Sequence, residues 1–247
     1  MIHSKKQKEL KNYCEILNNQ VIAMTIPVFK PEDWTSFDVV KKMRNISRIK
    51  KVGHAGTLDP FATGLLILGF GKDTKKLDGY KILKKEYIVD IELGISTDTM
   101  DRTGKVIMQK KDIPEYSISE IQSVVDSFIG KIQQIPPMYS AKKINGKRLY
   151  KYAREGVEIE RKANEINIYS IDILSYSENI LKLKVECSSG TYIRVLANDI
   201  GEKLGCGGHA KELIRSKIGE YSVDECFHID DFQKDWAELI INESIAS

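Results

Sequence analysis

The 247-residue chain has no apolar run approaching the roughly 20 residues that a membrane-spanning helix needs. Its longest, Leu65 to Phe70, contains a glycine and suits a buried strand instead. The N-terminal stretch MIHSKKQKELKNYCEILNNQ lacks the apolar centre of a secretion signal. A cytoplasmic protein with no membrane association is therefore expected. Cysteine is scarce. Cys14, Cys187, Cys206 and Cys226 lie far apart, which in a cytosolic chain predicts buried thiols rather than disulfides. Cys206-x-x-His209 followed by Cys226-x-His228 invites a zinc reading, but the second pair is tighter than the usual ligand spacing, and no metal is expected.

Nucleotide and hydrolase signatures are missing as well. Gly69-Phe-Gly-Lys72 has neither the Walker spacing nor the Ser/Thr that follows its lysine. No Gly-x-Gly-x-x-Gly follows a strand pattern, and neither Gly-x-Ser-x-Gly nor His-Glu-x-x-His occurs. P-loop NTPases, Rossmann dehydrogenases, α/β-hydrolases and zincin proteases are thereby excluded, and no cofactor is implied.

What is present is a globular composition, 42% hydrophobic and 30% charged. The net charge of +3 is too small for a polycation, so the distribution of charge carries the information. Lys41, Lys42, Arg44, Arg48, Lys50 and Lys51 form one basic cluster. Lys142, Lys143, Lys147, Arg148, Lys151 and Arg154 form a second, and Lys211, Arg215 and Lys217 a third. Any one of them reads first as a solvated face. Three together, two beside glycine-rich loops, point to a phosphate-binding surface.

Periodicity supplies the elements. Residues 1 to 21 read as a charged, partly helical extension. Val21 to Val28 alternates weakly as a strand that ends before Pro31. Thr35 and Asp38 form a capping box for a helix buried through Val39, Val40, Met43 and Ile46. Leu65 to Phe70 is a strand and Asp73 to Tyr80 a short helix. Tyr87, Val89, Ile91 and Leu93 share one face of an alternating strand. Ser117 and Glu120 cap a helix that Gly130 closes. Ile135-Pro-Pro-Met-Tyr139 is irregular, and Lys147 to Glu155 is a basic helix stopped by Gly156. Glu165 to Leu174 and Leu181 to Cys187 are strands. After Gly190, Tyr192 to Arg194 resumes as strand and Val195 to Leu204 is helical. Strands and helices mix without strict alternation, which predicts α+β rather than doubly wound α/β, in a single mixed domain.

One segment stands apart: GHAGTLDPFATGLL, Gly53 to Leu66, with Asp59 as its only ionised side chain. Asp-Pro is a common turn starter, so on its own Asp59 reads as a turn residue. The segment resembles the catalytic signature of the TruB family, bacterial synthases that convert a T-loop uridine of tRNA to pseudouridine. Further segments agree in order. They are Lys30-Pro31 with Trp34-Thr-Ser-Phe-Asp-Val-Val40, Lys50-Lys-Val-Gly-His54, Lys85-Glu-Tyr87, and Gln134-Ile-Pro-Pro-Met-Tyr-Ser-Ala141 with Asn145-Gly-Lys-Arg-Leu-Tyr150. Ser188-Ser-Gly-Thr-Tyr-Ile-Arg194 and Leu204-Gly-Cys-Gly-Gly-His-Ala210 complete the set.

The resemblance implies the pseudouridine-synthase fold, a mixed, mostly antiparallel central sheet with flanking helices and loops. It implies a catalytic domain over residues 22–247. Many family members carry a C-terminal PUA domain; residues 227–247 are too few for one, since a domain needs about 50 residues. The partner implied is the T-arm stem-loop of tRNA, with no protein partner required and a monomeric enzyme. Asp59 is implied as the nucleophile and Arg194, read alone as a surface residue at a strand end, as its ionic partner. Tyr87 would stack on the flipped base, though on its strand it also reads as core. His54, otherwise a loop histidine, would meet the RNA. Tyr192 belongs to the Arg194 motif and Leu213 resembles a pocket residue. Lys30, with the basic clusters, would hold phosphates.

Overall fold

A computed structural model describes residues 10, 14–17, 20–144 and 146–236. Most of the predicted N-terminal extension, together with Asn145 and the end of the tail from residue 237, lies outside the described residues. The chain forms two compact units, Met1–Leu83 with Arg215–Ser247, and Lys84–Ile214. No composition shift marks either boundary, and the second falls inside the strand Gly208–Ile218.

The first unit is built around Thr63–Gly71. This strand pairs antiparallel with Gln20–Lys30 and with Val52–Ala55, and Gln20–Lys30 in turn pairs with Cys14–Leu17. Both faces of Thr63–Gly71 are covered, which is why its sequence is a continuous apolar run rather than an alternation. Leu66, Leu68 and Phe70 join a core with Met24, Ile26, Val28, Val39, Met43 and Phe232. Leu65 and Ile67 join another with Ala55, Leu77, Ile218 and Cys226. The helix Ser36–Ser47 carries both arms of the predicted capping box. The Asp38 amide donates to the Thr35 hydroxyl (3.1 Å), and the Thr35 amide donates to the Asp38 carboxylate (2.9 Å). The Thr35 hydroxyl also donates to the Asp38 carboxylate (2.6 Å), and this bond, with that from the Thr35 amide, holds the Asp38 carboxyl below its ordinary value. The predicted helix from Asp73 is a 3₁₀ turn, Lys72–Lys76, followed by Leu77–Lys81.

In the second unit Lys85–Leu93, Ile180–Cys187, Asn164–Ser177 and Gly130–Gln134 pair antiparallel in that order. Ile180–Cys187 alternates buried and half-buried along its length, as its Leu/Lys pattern dictates. The helix Ile118–Asp126 buries Ile121 and Val125 and ends at Ser127; Gly130 opens the next strand rather than closing the helix. The basic helix is shorter than its pattern. It spans Leu149–Arg154, because Lys147–Arg148 pairs with Lys143–Ile144 in a small hairpin. Tyr192–Arg194 is not strand. Tyr192 is the N-cap of the helix Ile193–Lys203, so the β-forming Thr-Tyr-Ile run yields to helix packing. The four cysteines carry free thiols, and burial pushes Cys187 up to about 12. The α+β class and the antiparallel pairing of the sheet are as the sequence predicts. No described helix is long and apolar enough to cross a membrane.

Candidate active site

Asp59 lies in the first unit, on the connection from Val52–Ala55 to Thr63–Gly71. It opens a β-turn with Pro60 and Phe61 at the centre, closed by the Ala62 amide donating to the Asp59 carbonyl at 3.2 Å. Pro60 presets the backbone angle of the second turn position. Asp59 itself is half-buried, while Leu58, Phe61 and Ala62 are anchored in the interior at 4%, 2% and 0% exposure. The turn thus fixes a carboxylate on a short backbone whose apolar neighbours point inward.

Polar groups brace the same backbone on both sides of Asp59. The Leu58 amide donates to the Ser36 hydroxyl at 2.9 Å, and that hydroxyl lies 3.3 Å from the Leu58 carbonyl. The Lys30 ammonium donates to the carbonyls of Pro31 (2.8 Å), Trp34 (2.6 Å) and Pro60 (3.0 Å). The assignment of Lys30 to phosphate is corrected by this arrangement. The residue is fully buried and commits its three hydrogens to carbonyl oxygens. Burial lowers its pKa to about 8, partly offset by the nearby Asp59 carboxylate.

The third basic cluster dissolves on folding. Lys217 is exposed, and Lys211 is half-buried and paired with Glu92 at 3.3 Å. Arg215 is 1% exposed, with its Nε donating to the Leu65 carbonyl (2.8 Å) and Nη2 to the Gly56 carbonyl (3.2 Å). His54 sits on the strand Val52–Ala55 opposite Leu68, half-buried, and is not a loop residue.

In the second unit Arg194 occupies the first turn of Ile193–Lys203 and is 2% exposed, so the surface strand-end reading of this residue does not hold. Its Nη1 donates to the Thr99 carbonyl (2.8 Å) and to the Asp101 carboxylate (3.1 Å), and its Nη2 to the Tyr139 carbonyl (2.8 Å). Asp101 is itself held. Its Oδ1 accepts from the hydroxyls of Thr99 (2.8 Å) and Thr103 (2.6 Å) and from the Thr103 amide (2.9 Å). A buried guanidinium is thus paired with a buried carboxylate that is already oriented. Asp101 is absent from the sequence-based site. Its signal is faint: an acidic residue inside the polar turn Thr97-Asp-Thr-Met-Asp-Arg-Thr-Gly104, where Met100 adopts a left-handed φ of 62°.

Tyr192 precedes Arg194 and is clamped by one side chain. Its amide donates to Gln134 Oε1 at 2.8 Å, and Gln134 Nε2 donates to its carbonyl at 3.0 Å. Tyr87 is 9% exposed at the start of the apolar face that continues through Val89, Ile91 and Leu93, opposite Val185. Leu213 is 5% exposed on Gly208–Ile218, a strand whose glycine-rich start and scattered charges hide its alternation. The structure therefore gathers Asp59, Lys30 and Arg215 around one loop of the first unit. It sets Arg194 with Asp101 and Tyr139 in the second. Asp59 and Arg194 belong to different units.

Comparison with known proteins defines the class. Solved structures of similar fold include a Cbf5–Nop10–Gar1 complex (TM-score 0.68, 27% identity), covering 85% of this chain and 53% of that one. An H/ACA ribonucleoprotein bound to a substrate RNA containing 2′-deoxyuridine matches with TM-score 0.65 at 25% identity, over 87% and 54% of the two chains. The chain thus spans about half the length of those solved chains. The model for the N-terminal domain of TruB family pseudouridylate synthases matches residues 44–193, and that for the tRNA pseudouridylate synthase B C-terminal domain matches 194–244. The chain belongs to the TruB family. It is 48% identical over 210 residues to a tRNA pseudouridine synthase B of Clostridium tetani, covering 85% of this chain and 72% of the relative. It is 44% identical over 200 residues to that of Chlamydia felis, covering 81% and 84%.

Proposed function

We propose that the protein is a tRNA pseudouridine synthase that isomerises the T-loop uridine at position 55, with Asp59 as nucleophile. The observation that carries this reading is the Asp59 turn. A single carboxylate is held on a braced loop inside the segment that matches the family. Relatives at 48% and 44% identity are named tRNA pseudouridine synthase B, which supports tRNA as the substrate.

The reaction breaks the N1–C1′ bond, turns the base and joins C5 to C1′. The proton at C5 is lost and N1 gains one, so no group or electron is taken from outside. A carboxylate with a reference pKa of about 3.9 is ionised at neutral pH and needs no separate base to act as nucleophile. The target base must leave its stack to reach it. Tyr87 stacks on the extruded base, and its hydroxyl serves in removing the C5 proton. Such stacking is worth roughly 1–3 kcal/mol per base. Arg194, held by Asp101, Thr99 and Tyr139, contributes a fixed positive charge to the substrate-binding side chains of the second unit. His54, Tyr192 and Leu213 contribute to the surface that receives the RNA. The reading places the enzyme in the cytoplasm as a monomer needing no protein partner.

The test is incubation with an unmodified T-arm stem-loop, followed by chemical mapping of pseudouridine. Conversion of one T-loop uridine is expected. Tight binding without product would make the protein an RNA-binding or RNA-folding factor instead.

A further inference from the structure

The loop that carries Asp59 runs from Gly56 to Ala62, and Arg215 ties its first residue to Leu65 in the strand that follows. Nη2 of Arg215 takes the Gly56 carbonyl and Nε takes the Leu65 carbonyl, from a side chain that is 1% exposed. Ser36 holds Leu58, the residue immediately before Asp59, through a hydroxyl that is itself buried at 2% exposure. Lys30 holds Pro60, the residue immediately after. The tied positions 56, 58 and 60 alternate along the loop, and Asp59 lies between the last two.

Each of these ties ends on a backbone group, so together they specify the path of the chain rather than the rotamer of a neighbour. The close approach of the strand bearing Arg215 makes the same point. A Cβ on Gly64, which has φ +107°, would lie 2.4 Å from the Arg215 carbonyl oxygen. Gly56, at φ +85°, likewise leaves its carbonyl turned to the guanidinium. The two bonds from one planar fork set the width of the loop neck, which a lysine ammonium cannot do.

We propose that Arg215 and Ser36 are positioning residues of the reaction. They fix the loop backbone from which the Asp59 carboxylate is aimed, without contacting the RNA. This rests on the reading of Asp59 as nucleophile. Displacing a reacting group by about 1 Å costs on the order of a hundredfold in rate, whereas substrate affinity resides in other residues. A phosphate contact, the alternative assignment for Arg215, predicts the reverse, a loss of affinity with the chemical step unchanged.

The experiment is single-turnover conversion of a T-arm stem-loop at saturating enzyme, with RNA affinity by filter binding and folding by thermal melting. The variants are Ser36→Ala, Arg215→Lys and Asp59→Asn. The expected result for Ser36→Ala and Arg215→Lys is a rate loss of about 10- to 100-fold, with affinity kept within about twofold and melting above the assay temperature. Wild-type rates in both variants overturn the proposal. So does a rate loss matched by loss of affinity. If Arg215→Lys fails to fold, Ser36→Ala decides alone. Turnover by Asp59→Asn refutes the nucleophile itself. A silent Asp59→Asn beside fully active Ser36→Ala and Arg215→Lys refutes only the brace.

Discussion

Lys30 shows how a single residue can be legible in identity and misread in role. Its place before Pro31 marks it as part of the resemblance, and a lysine in an RNA enzyme reads naturally as a phosphate ligand. Folding instead buries it with carbonyls of Pro31, Trp34 and Pro60. Burial lowers its pKa from 10.5 to about 8. Because the folded value is depressed, the unfolded chain binds more protons between these two values, and stability rises with pH across that window. This contribution is fully present above the unfolded value and is lost as pH falls through about 8. Melting temperature measured from pH 7.5 to 10 should therefore rise more, or fall less, in the wild type than in Lys30→Met, about 8 being the pH below which the two curves run parallel. Identical slopes throughout would show that Lys30 keeps its ordinary pKa. Arg194 and Arg215 have the same lesson. Nothing local distinguishes a buried arginine from an exposed one, since the acceptors that hold them lie 95 and 150 residues away along the chain, as for Arg194 with Thr99 and Arg215 with Leu65.

At the scale of elements, sequence signals are legible wherever the chemistry is local. Both capping boxes, Thr35–Asp38 and Ser117–Glu120, form with all their hydrogen bonds. Replacing the cap serine, Ser117→Ala, should cost about 1 kcal/mol, measured by chemical denaturation. The glycine at 64 is under a harsher constraint. Gly64→Ala places a Cβ 2.4 Å from a backbone oxygen at a positive φ, and should destabilise by about 1–3 kcal/mol or more. If Gly64→Ala proves no worse than Ser117→Ala, the close approach of the Arg215 backbone is wrong. Illegible elements share a cause. The strand Gly208–Ile218 has the burial pattern of a segment packed unevenly, without a clean period of two. The start of Ile193–Lys203 carries strand-forming residues but is set as helix by Gln134 gripping Tyr192 from 58 residues away. Propensity cannot anticipate a long-range clamp.

At the scale of the whole molecule, the sequence yields the class because an ordered set of motifs survives in it, whereas the division into two compact units leaves no compositional trace. Charge is partly legible. The first two basic clusters remain largely at the surface: Lys41, Arg48, Lys50, Lys51, Lys143, Arg148, Lys151 and Arg154 are exposed, and the third does not persist as a surface. An RNA held by exposed cations releases counterions on binding, so affinity should fall linearly with salt on logarithmic axes. Neutralising Arg148 or Lys151 should weaken binding of every tRNA sequence alike and reduce that slope by about 1, leaving the saturated rate unchanged. A slope indifferent to these residues would move the RNA surface elsewhere.

The central claim is that one carboxylate carries the chemistry while the rest of the site holds, orients and receives. The direct measurement compares wild type with Asp59→Asn on an unmodified T-arm stem-loop, reading pseudouridine by chemical labelling and affinity by filter binding. Asn preserves the size and the turn and removes the negative charge. The account predicts rapid conversion by the wild type and none by Asp59→Asn, at RNA affinities within about threefold of each other. Measurable turnover by Asp59→Asn would contradict it.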